Sequence, residues 1–207
     1  MGQRLYYATN RRHRGRNQWQ PSGDGPDFSE LEYVDPATGK TDRRAASQNL
    51  RFGRIDWDIS YSDIADFLRL ESGWGEGDGS ALAAHLTKKA QRDRAKITAF
   101  EERLDTHVSD REQGRNRFGS RRSYTELRRA LRGGVDVVVF VHGFNVSWWE
   151  AAASAMALQF VLNARRTDDD PEIIVMLLSW PSDGAAVPWF SYYSDRGDVE
   201  SSGAAVG

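Results

Sequence analysis

Two long apolar runs stand out in the hydropathy pattern, and both lie in the second half of the chain. Val135–Val141 and Ile173–Trp180 are almost entirely apolar and rich in β-branched residues. Such continuous runs are typical of strands that are buried on both faces of a parallel sheet. Between them, Ser147 and Glu150 have the spacing of a capping box, which predicts a helix that runs to about Arg166. Strand, helix and strand in this order predict a βαβ unit.

The chain before residue 133 is more polar and predicts shorter elements. Leu5–Thr9 is a β-prone run, and Arg51–Ser60 alternates apolar and polar residues in the manner of a half-buried strand. Ala81–Asp105 carries an imperfect apolar stripe that predicts a long polar helix. Ser123–Arg132 predicts a shorter helix, with Ser123 as its N-cap and a glutamate three residues later.

These changes of pattern divide a single domain into three parts. Residues 1–80 contain the N-terminal strands and loops that lead into the sheet, residues 81–132 form a polar helical region, and residues 133–207 contain the βαβ core. The alternation of strands with helices predicts an α/β fold that has a mostly parallel sheet and flanking helices.

The composition of the 207-residue chain excludes several classes of site. No cysteine is present, which rules out a disulfide scaffold, a thiol nucleophile and any cysteine-ligated metal site. The same absence fits a reducing compartment, so a cytoplasmic location is expected. The formal net charge of -2 gives no whole-chain argument for nucleic-acid binding. No run of 18 apolar residues occurs, so no membrane span is expected.

Three polar segments each allow a functional and a purely structural interpretation. Arg111–Arg132 is basic, but few aromatic residues accompany the arginines, so a solvated helical face is favoured and no nucleic-acid partner is expected. Asp168–Asp170 lacks the spaced partners of a metal site and is typical of a solvated turn. Ser72–Ser80 is rich in glycine but fits neither common phosphate-loop pattern. No metal and no organic cofactor is therefore expected.

The most informative segment joins the first apolar strand to the capped helix through His142, Gly143, Phe144 and Asn145. The N–H groups of Phe144 and Asn145 are expected at the carboxyl end of a parallel strand and close to a helix N-terminus. Such a place stabilises negative charge, and ligands of open α/β sheets bind there. Gly143 is expected where the backbone comes close to another group. The alternative is that these residues form no more than a tight turn.

Five short motifs occur in order along the chain: YYATNR at Tyr6–Arg11, NLRFG at Asn49–Gly53, FVHGFN at Phe140–Asn145, SWPSDG at Ser179–Gly184 and YYSDR at Tyr192–Arg196. Through these motifs the chain resembles, over nearly its whole length, a bacterial family of uncharacterised α/β hydrolases. The resemblance implies that the N–H of Phe144 donates to the oxyanion of the reaction, and that His142 and Gly143 shape the loop around it.

The resemblance also implies a cleft for a small acyl-type substrate beside this loop. The candidate substrate-binding residues are Asn145, Trp180, Ser182 and Asp183. Trp180 and the aromatic residues that follow it either wall an apolar acyl-binding pocket or pack as part of the core. Asp183 either lines the entrance of the site or forms a turn, and the turn is favoured.

The catalytic residues of a serine hydrolase do not accompany these motifs. In the α/β-hydrolase fold the nucleophilic serine lies in G-x-S-x-G, and an acid and then a histidine follow it along the chain. This chain has no G-x-S-x-G and no histidine after His142. His142 itself comes too early in the chain to be the catalytic base. The expectation is a partial α/β-hydrolase fold, truncated before the nucleophile elbow and inactive by itself. The alternative is a non-catalytic hydrolase-like module that binds a ligand or a protein.

A truncation at this point would leave the sheet with an exposed edge. In the fold that the chain resembles, the next strand would pair with Val135–Val141. Without that strand, a flat apolar edge presents unpaired N–H and C=O groups, which template aggregation. Self-association, or a partner at this edge, is therefore expected.

Overall fold

A computed structural model of the chain describes residues 3–9, 11–13, 28–29, 51–68, 78–93, 95–100, 119–164, 166–167 and 169–180. The strands in these ranges are β1 (Gln3–Thr9), β2 (Arg12–His13), β3 (Phe28–Ser29), β4 (Arg51–Trp57), β5 (Lys96–Ala99), β6 (Asp136–Val141) and β7 (Ile173–Ser179). The helices are α1 (Ala65–Leu68), α2 (Gly79–Asp93), α3 (Gly119–Arg132) and α4 (Trp148–Asn163), with a 3₁₀ turn at Tyr61–Asp63.

Five of these strands form one sheet in the order β5-β4-β1-β7-β6. β1, β7 and β6 are parallel to one another, whereas β4 is antiparallel to both of its neighbours. Four of the five strands therefore run in the same direction, and the predicted α/β fold with a mostly parallel sheet is confirmed. β6, α4 and β7 form the predicted βαβ unit, and β2 and β3 form a separate pair. This architecture is consistent with a partial α/β-hydrolase fold.

One face of the sheet is covered by α2 and α4, which pack against each other. The side chains that fill this layer alternate along the strands and include Leu5, Tyr7, Ile55, Val175 and Leu177. α4 meets them with a run of fully buried alanines, and such small residues let a helix approach the sheet closely. The Gln159 side chain then ties α4 to the sheet, because its amide accepts from the N–H of Val175 at 2.9 Å and donates to the carbonyl of Arg4 at 3.2 Å.

The other face of the sheet is covered in part by α3. The buried residues of this second layer come from the strands and from the inner side of the helix, and they are Tyr6, Ala8, Phe52, Phe100, Leu127 and Met176. The Arg122 guanidinium lies 4.2 Å from the centre of the Phe100 ring, so its positive charge lies over the face of the aromatic ring.

Strand β6 differs from its prediction as a doubly buried strand. Within the described ranges it pairs only with β7 and lies at the end of the sheet. Val139 is 58% exposed and Val141 is 53% exposed, because no described element packs over them. β7, which has β1 and β6 as neighbours, is buried as predicted at Val175 and Leu177.

Two helix predictions in the region 81–132 need correction. The helix predicted over Ala81–Asp105 ends at Asp93, and Ile97 lies in β5 opposite Ile55 of β4. Pairing with a distant strand here prevails over the local helical pattern. Ser123 is not an N-cap, because α3 begins at Gly119 and buries Ser123 inside the helix.

Other boundaries lie closer to the predictions. The predicted strand Arg51–Ser60 ends at Trp57, and Leu5–Thr9 belongs to a strand that begins two residues earlier. α4 begins as predicted, with Ser147 as its N-cap and Glu150 completing a capping box, and it ends at Asn163.

Candidate functional site

The candidate site is built where three parallel strands end together. Thr9 of β1 lies opposite Ser179 of β7, and Val141 of β6 lies opposite Leu178 of the same strand. Because parallel strands point the same way, the residues that follow them meet at one edge of the sheet. Arg11, His142 and Trp180 come together there although they lie far apart in the chain.

Arg11 connects all three strand ends from a fully buried position, with only 1% of its surface exposed. Its Nε–H donates to Ser179 Oγ at 2.8 Å, and its Nη2–H donates to the carbonyl of Val146 at 2.8 Å. Its own backbone N–H donates to Thr9 Oγ1 at 3.0 Å. A buried guanidinium with donors in a rigid fork is suited to holding separate segments in one arrangement.

The hydrogen bonds around His142 define its tautomer. Its Nε2 lies 3.0 Å from Ser179 Oγ, 3.3 Å from the backbone N of Trp180 and 3.4 Å from Arg11 Nη2. The groups on Trp180 and Arg11 can only donate, so Nε2 accepts and the proton is assigned to Nδ1. That Nδ1–H donates to the carbonyl oxygen of Gly143 at 2.7 Å. The hydroxyl of Ser179 accepts from Arg11 and donates to His142.

Trp180 holds His142 by its ring and by its indole N–H. The two rings stack with centroids 5.2 Å apart and an angle of 11° between their planes. The indole Nε1–H donates to the carbonyl of His142 at 3.1 Å. Trp180 is buried in this contact, so the described geometry assigns its side chain to packing against His142.

The loop that follows His142 is open to solvent. Gly143, Phe144 and Asn145 are all exposed, and Phe144 keeps 42% of its surface accessible. Asn145 has a positive φ of 56°, in the left-handed region that asparagine tolerates better than most residues. Apart from its two chain neighbours, no described residue lies within 4 Å of a Cβ placed on Gly143, so none of them accounts for the expected close approach of the backbone to another group.

The N-terminus of α4 next to this loop already carries a carboxylate. Glu150 Oε2 accepts from the N–H of Ser147 at 2.9 Å and from its hydroxyl at 2.7 Å. A carboxylate at this end of a helix offsets part of the positive end of the helix dipole. Stabilisation of an anion at the loop would therefore depend on the loop N–H groups more than on the dipole of α4.

Tyr7 and Trp148 form the packed layer beneath the site. Their rings meet edge to face with centroids 5.0 Å apart. Burial raises the pKa of Tyr7 far above its ordinary value, so its hydroxyl remains protonated at any physiological pH. This layer gives the strand ends an apolar, uncharged support.

Ser179 and His142 have the spacing of a nucleophile and its base, but their burial argues against that role. An oxygen-to-nitrogen distance of 3.0 Å is typical of such a pair. Ser179 is completely buried, and its hydroxyl already accepts from Arg11. An acyl carbon cannot reach an oxygen in this position, so the pair holds the loop in place.

The structure thus unites two of the residues that the sequence singles out, His142 and Trp180. Gly143, Phe144 and Asn145 lie in the exposed loop beside them. The remaining candidates, Ser182 and Asp183, lie outside the described residues.

The sequence reasoning assigned no role to Arg11 or to Ser179. Both residues belong to the motifs quoted above, YYATNR and SWPSDG, and a polar residue at or just after the end of a buried strand is the signal that marks them.

The described ranges contain neither a metal-binding cluster nor a membrane-spanning helix. No group of three or more His, Asp or Glu side chains is arranged there to hold a metal ion. None of the helices in the same ranges is long and apolar enough to cross a membrane.

Residues 121–207 match a protein family described as "Alpha/beta hydrolase of unknown function" (DUF900). The match covers less than half of the chain and includes β6, α4 and β7, the elements that carry the loop. It supports the similarity to the α/β-hydrolase superfamily that the motifs indicate. No curated protein and no solved structure matches the chain.

Proposed function

We propose that the chain is part of a serine hydrolase that acts on ester-type or amide-type substrates, and that residues 142–145 form its oxyanion loop. The observation that carries the proposal is an exposed loop at the carboxyl ends of parallel strands, held from below by the buried His142. In this arrangement Phe144 supplies the N–H that donates to the oxyanion, and the cleft beside it receives the acyl group.

A fixed N–H group lowers the barrier because it is already oriented when negative charge develops on the substrate oxygen. Removal of one such donor reduces kcat by about 100- to 1,000-fold in serine hydrolases. The reaction needs no metal and no organic cofactor, since the serine, the histidine and the loop provide the nucleophile, the proton transfer and the charge stabilisation.

Residues 1–207 alone are expected to be inactive. They contain no G-x-S-x-G and no histidine after His142, and Ser179 is buried. We expect no turnover of short p-nitrophenyl esters and no labelling by a fluorophosphonate. Labelling that disappears on substitution of one serine of this chain would contradict the proposal.

The nucleotide sequence after codon 207 separates the proposal from its alternative. A continuation that encodes G-x-S-x-G and a later histidine supports the hydrolase. A coding region that ends there supports a non-catalytic module that binds a ligand or a protein through the same cleft. The exposed valines of β6 favour this second candidate, because they offer an apolar contact surface.

The oxyanion role of Phe144 is tested in an active gene product that contains these residues. Phe144→Pro removes the backbone N–H and should lower kcat by about 100-fold or more. Phe144→Ala is the matched control, because it removes the ring and keeps the N–H. Equal kcat values for the two variants would contradict the assignment of the donor.

A further inference from the structure

The outward side of α3 carries a row of arginines. Arg121, Arg128 and Arg132 are all exposed, and they follow one another at spacings of seven and four residues, so they share one side of the helix. The buried residues Ser123 and Leu127 lie on the opposite side. Among the described residues, no carboxylate pairs with any of these three arginines. Their charges are therefore directed at the solvent.

The single acidic residue of α3 lies away from this arginine row. Glu126 is half-buried beside the sheet, where its carboxylate lies 3.3 Å from Arg122 Nε and 3.7 Å from Arg54 Nη1. With five arginines and one glutamate, α3 has a large excess of positive charge, and its fully exposed charges all have the same sign. Such a face attracts a partner whose surface is anionic throughout.

A patch of exposed apolar side chains lies beside the arginine row. Tyr124 and Leu131 of α3 and Val139 and Val141 of β6 each keep more than half of their surface exposed. No other large apolar side chain in the described ranges is as exposed as these four. Their exposure distinguishes this part of α3 from a helical face that is only charged and solvated.

The two valines of the apolar patch lie on the side of the sheet that α3 covers in part. Their register partners in β7, Met176 and Leu178, pack in the layer that includes Leu127 of α3. α3 also contacts β6 directly. The arginine row and the apolar patch therefore lie on the same side of the sheet and on adjacent elements.

This combination matches the surface of a membrane that contains anionic lipids. Lipid phosphates accept hydrogen bonds from guanidinium groups, and the boundary between headgroups and acyl chains takes up apolar side chains. The long stems of arginine let the charges remain at the headgroups while their neighbours lie deeper. The phosphates of a nucleic acid would satisfy the arginines, but a duplex offers no apolar phase for valine and leucine. A protein partner would need a surface that is both apolar and uniformly acidic.

We propose that the face formed by α3 and β6 binds to the surface of anionic phospholipid membranes. The arginine row lies at the headgroup phosphates, and the apolar patch lies at the acyl boundary. Membrane binding does not depend on the proposed hydrolase function, so it is measured without turnover and its failure would leave that function untouched.

The test is flotation of the 207-residue chain with lipid vesicles in a density gradient, because bound protein rises with the vesicles whereas self-associated protein does not. The chain should float with vesicles that contain phosphatidylglycerol, and it should not float with vesicles of phosphatidylcholine alone. Added salt should release it, because salt screens exposed charges. A chain that floats with neither kind of vesicle, or equally with both, would overturn the proposal.

The double variant Arg128→Gln/Arg132→Gln should bind anionic vesicles about 20- to 30-fold more weakly, since each basic residue near an anionic surface contributes about fivefold. Lys88→Gln/Arg166→Gln is the matched control. It removes the same charge from exposed positions on α2 and just after α4, which cover the other side of the sheet. Equal losses in the two double variants would show that α3 is not the binding face.

Leu131→Ser tests the apolar patch and should weaken binding about tenfold, because less apolar surface leaves the water. Leu162→Ser is the matched control, since Leu162 is also an exposed leucine but lies on α4. If Leu131→Ser bound as tightly as the wild type while the arginine variant did not bind, the partner would be a polyanion without an apolar phase. Retention of both leucine variants on heparin would identify that outcome, which contradicts the membrane assignment.

Discussion

Strands β6 and β7 are neighbours in the sheet, share an apolar composition and pair in parallel along six residues. β7 lies between β1 and β6 and beneath α4, and its central side chains are buried. β6 has one described neighbour, and its valines reach the solvent. The difference shows that burial depends on the neighbours of a strand and that an apolar run alone does not determine it. Substitutions in the covered interior should therefore lower the free energy of unfolding more than substitutions on the β6 side.

The sharpest test of this contrast compares two glycines. A methyl group on Gly53 of β4 would overlap the Tyr7 hydroxyl and the Thr98 carbonyl oxygen, whereas one on Gly143 after β6 would have no described residue within 4 Å apart from its chain neighbours. Gly53→Ala should lower the free energy of unfolding by about 3 kcal/mol, because a strand backbone cannot move aside. Gly143→Ala should change it by less than about 0.5 kcal/mol.

Urea unfolding followed by far-ultraviolet circular dichroism measures both variants. Equal free energies of unfolding for Gly53→Ala and Gly143→Ala would contradict the close packing of β4 against Tyr7.

A second test uses two valines that face each other across the β6–β7 pair. Val175 and Val138 are register partners on the same face of the sheet, and they are 0% and 37% exposed. Val175→Ala should cost about 2 kcal/mol, because it removes buried methyl groups and leaves a cavity. Val138→Ala should cost about 0.5 kcal/mol. Equal losses in thermal or urea unfolding would show that β6 is covered in solution.

The same contrast explains which parts of the fold could be predicted from the sequence. α4 was predicted with its cap because Ser147 and Glu150 are three residues apart and act locally. The end of α2 was missed because Ile97 pairs with Ile55, a contact between distant segments. The exposure of the β6 side chains was missed for the same kind of reason, since it depends on which elements pack over the strand, although an open edge at this strand was expected.

The candidate site could likewise be predicted from the sequence only in part. The loop from His142 to Asn145 could be found from a strand, a tight turn and a capped helix in direct succession. The residues that hold it could not, because Arg11 and Ser179 meet across a separation of 168 residues. Only the register of β1 with β7 brings them together, and hydrophobic periodicity indicates which face of a strand is buried but not which distant residue lies opposite.

The open edge of β6 predicts association of the isolated chain. Among the described residues no strand pairs with its outer edge, and beyond Asp136 the strand carries none of the charges that usually protect an edge strand. The wild type should sediment as larger species at increasing concentration, and Val139→Lys should raise the concentration needed by about tenfold. Val161→Lys is the control, because Val161 is also exposed but lies on α4. A monodisperse wild-type monomer with a cooperative melting transition would contradict the open edge.

The smallest effect is expected from two exposed turns, which both lie away from β6. Asp170 precedes β7 and accepts from the N–H and the hydroxyl of Thr167, each at 2.8 Å, and Asp63 accepts in the same way from Ser60. These bonds lower the pKa of both carboxyls below the ordinary value of 3.8.

A carboxylate with a lowered pKa in the folded state contributes stability above pH 3.8, and this contribution is lost as the pH falls through the folded pKa. Asp63→Asn and Asp170→Asn should each make the acid-induced loss of stability slightly shallower and by similar amounts. Both groups are solvent-exposed, so the burial of the strands next to each turn should not matter. NMR titration of the two carboxyl carbons gives the check. A carboxyl whose pKa lies at or above the ordinary value would show that its hydrogen bonds in the turn do not form in solution.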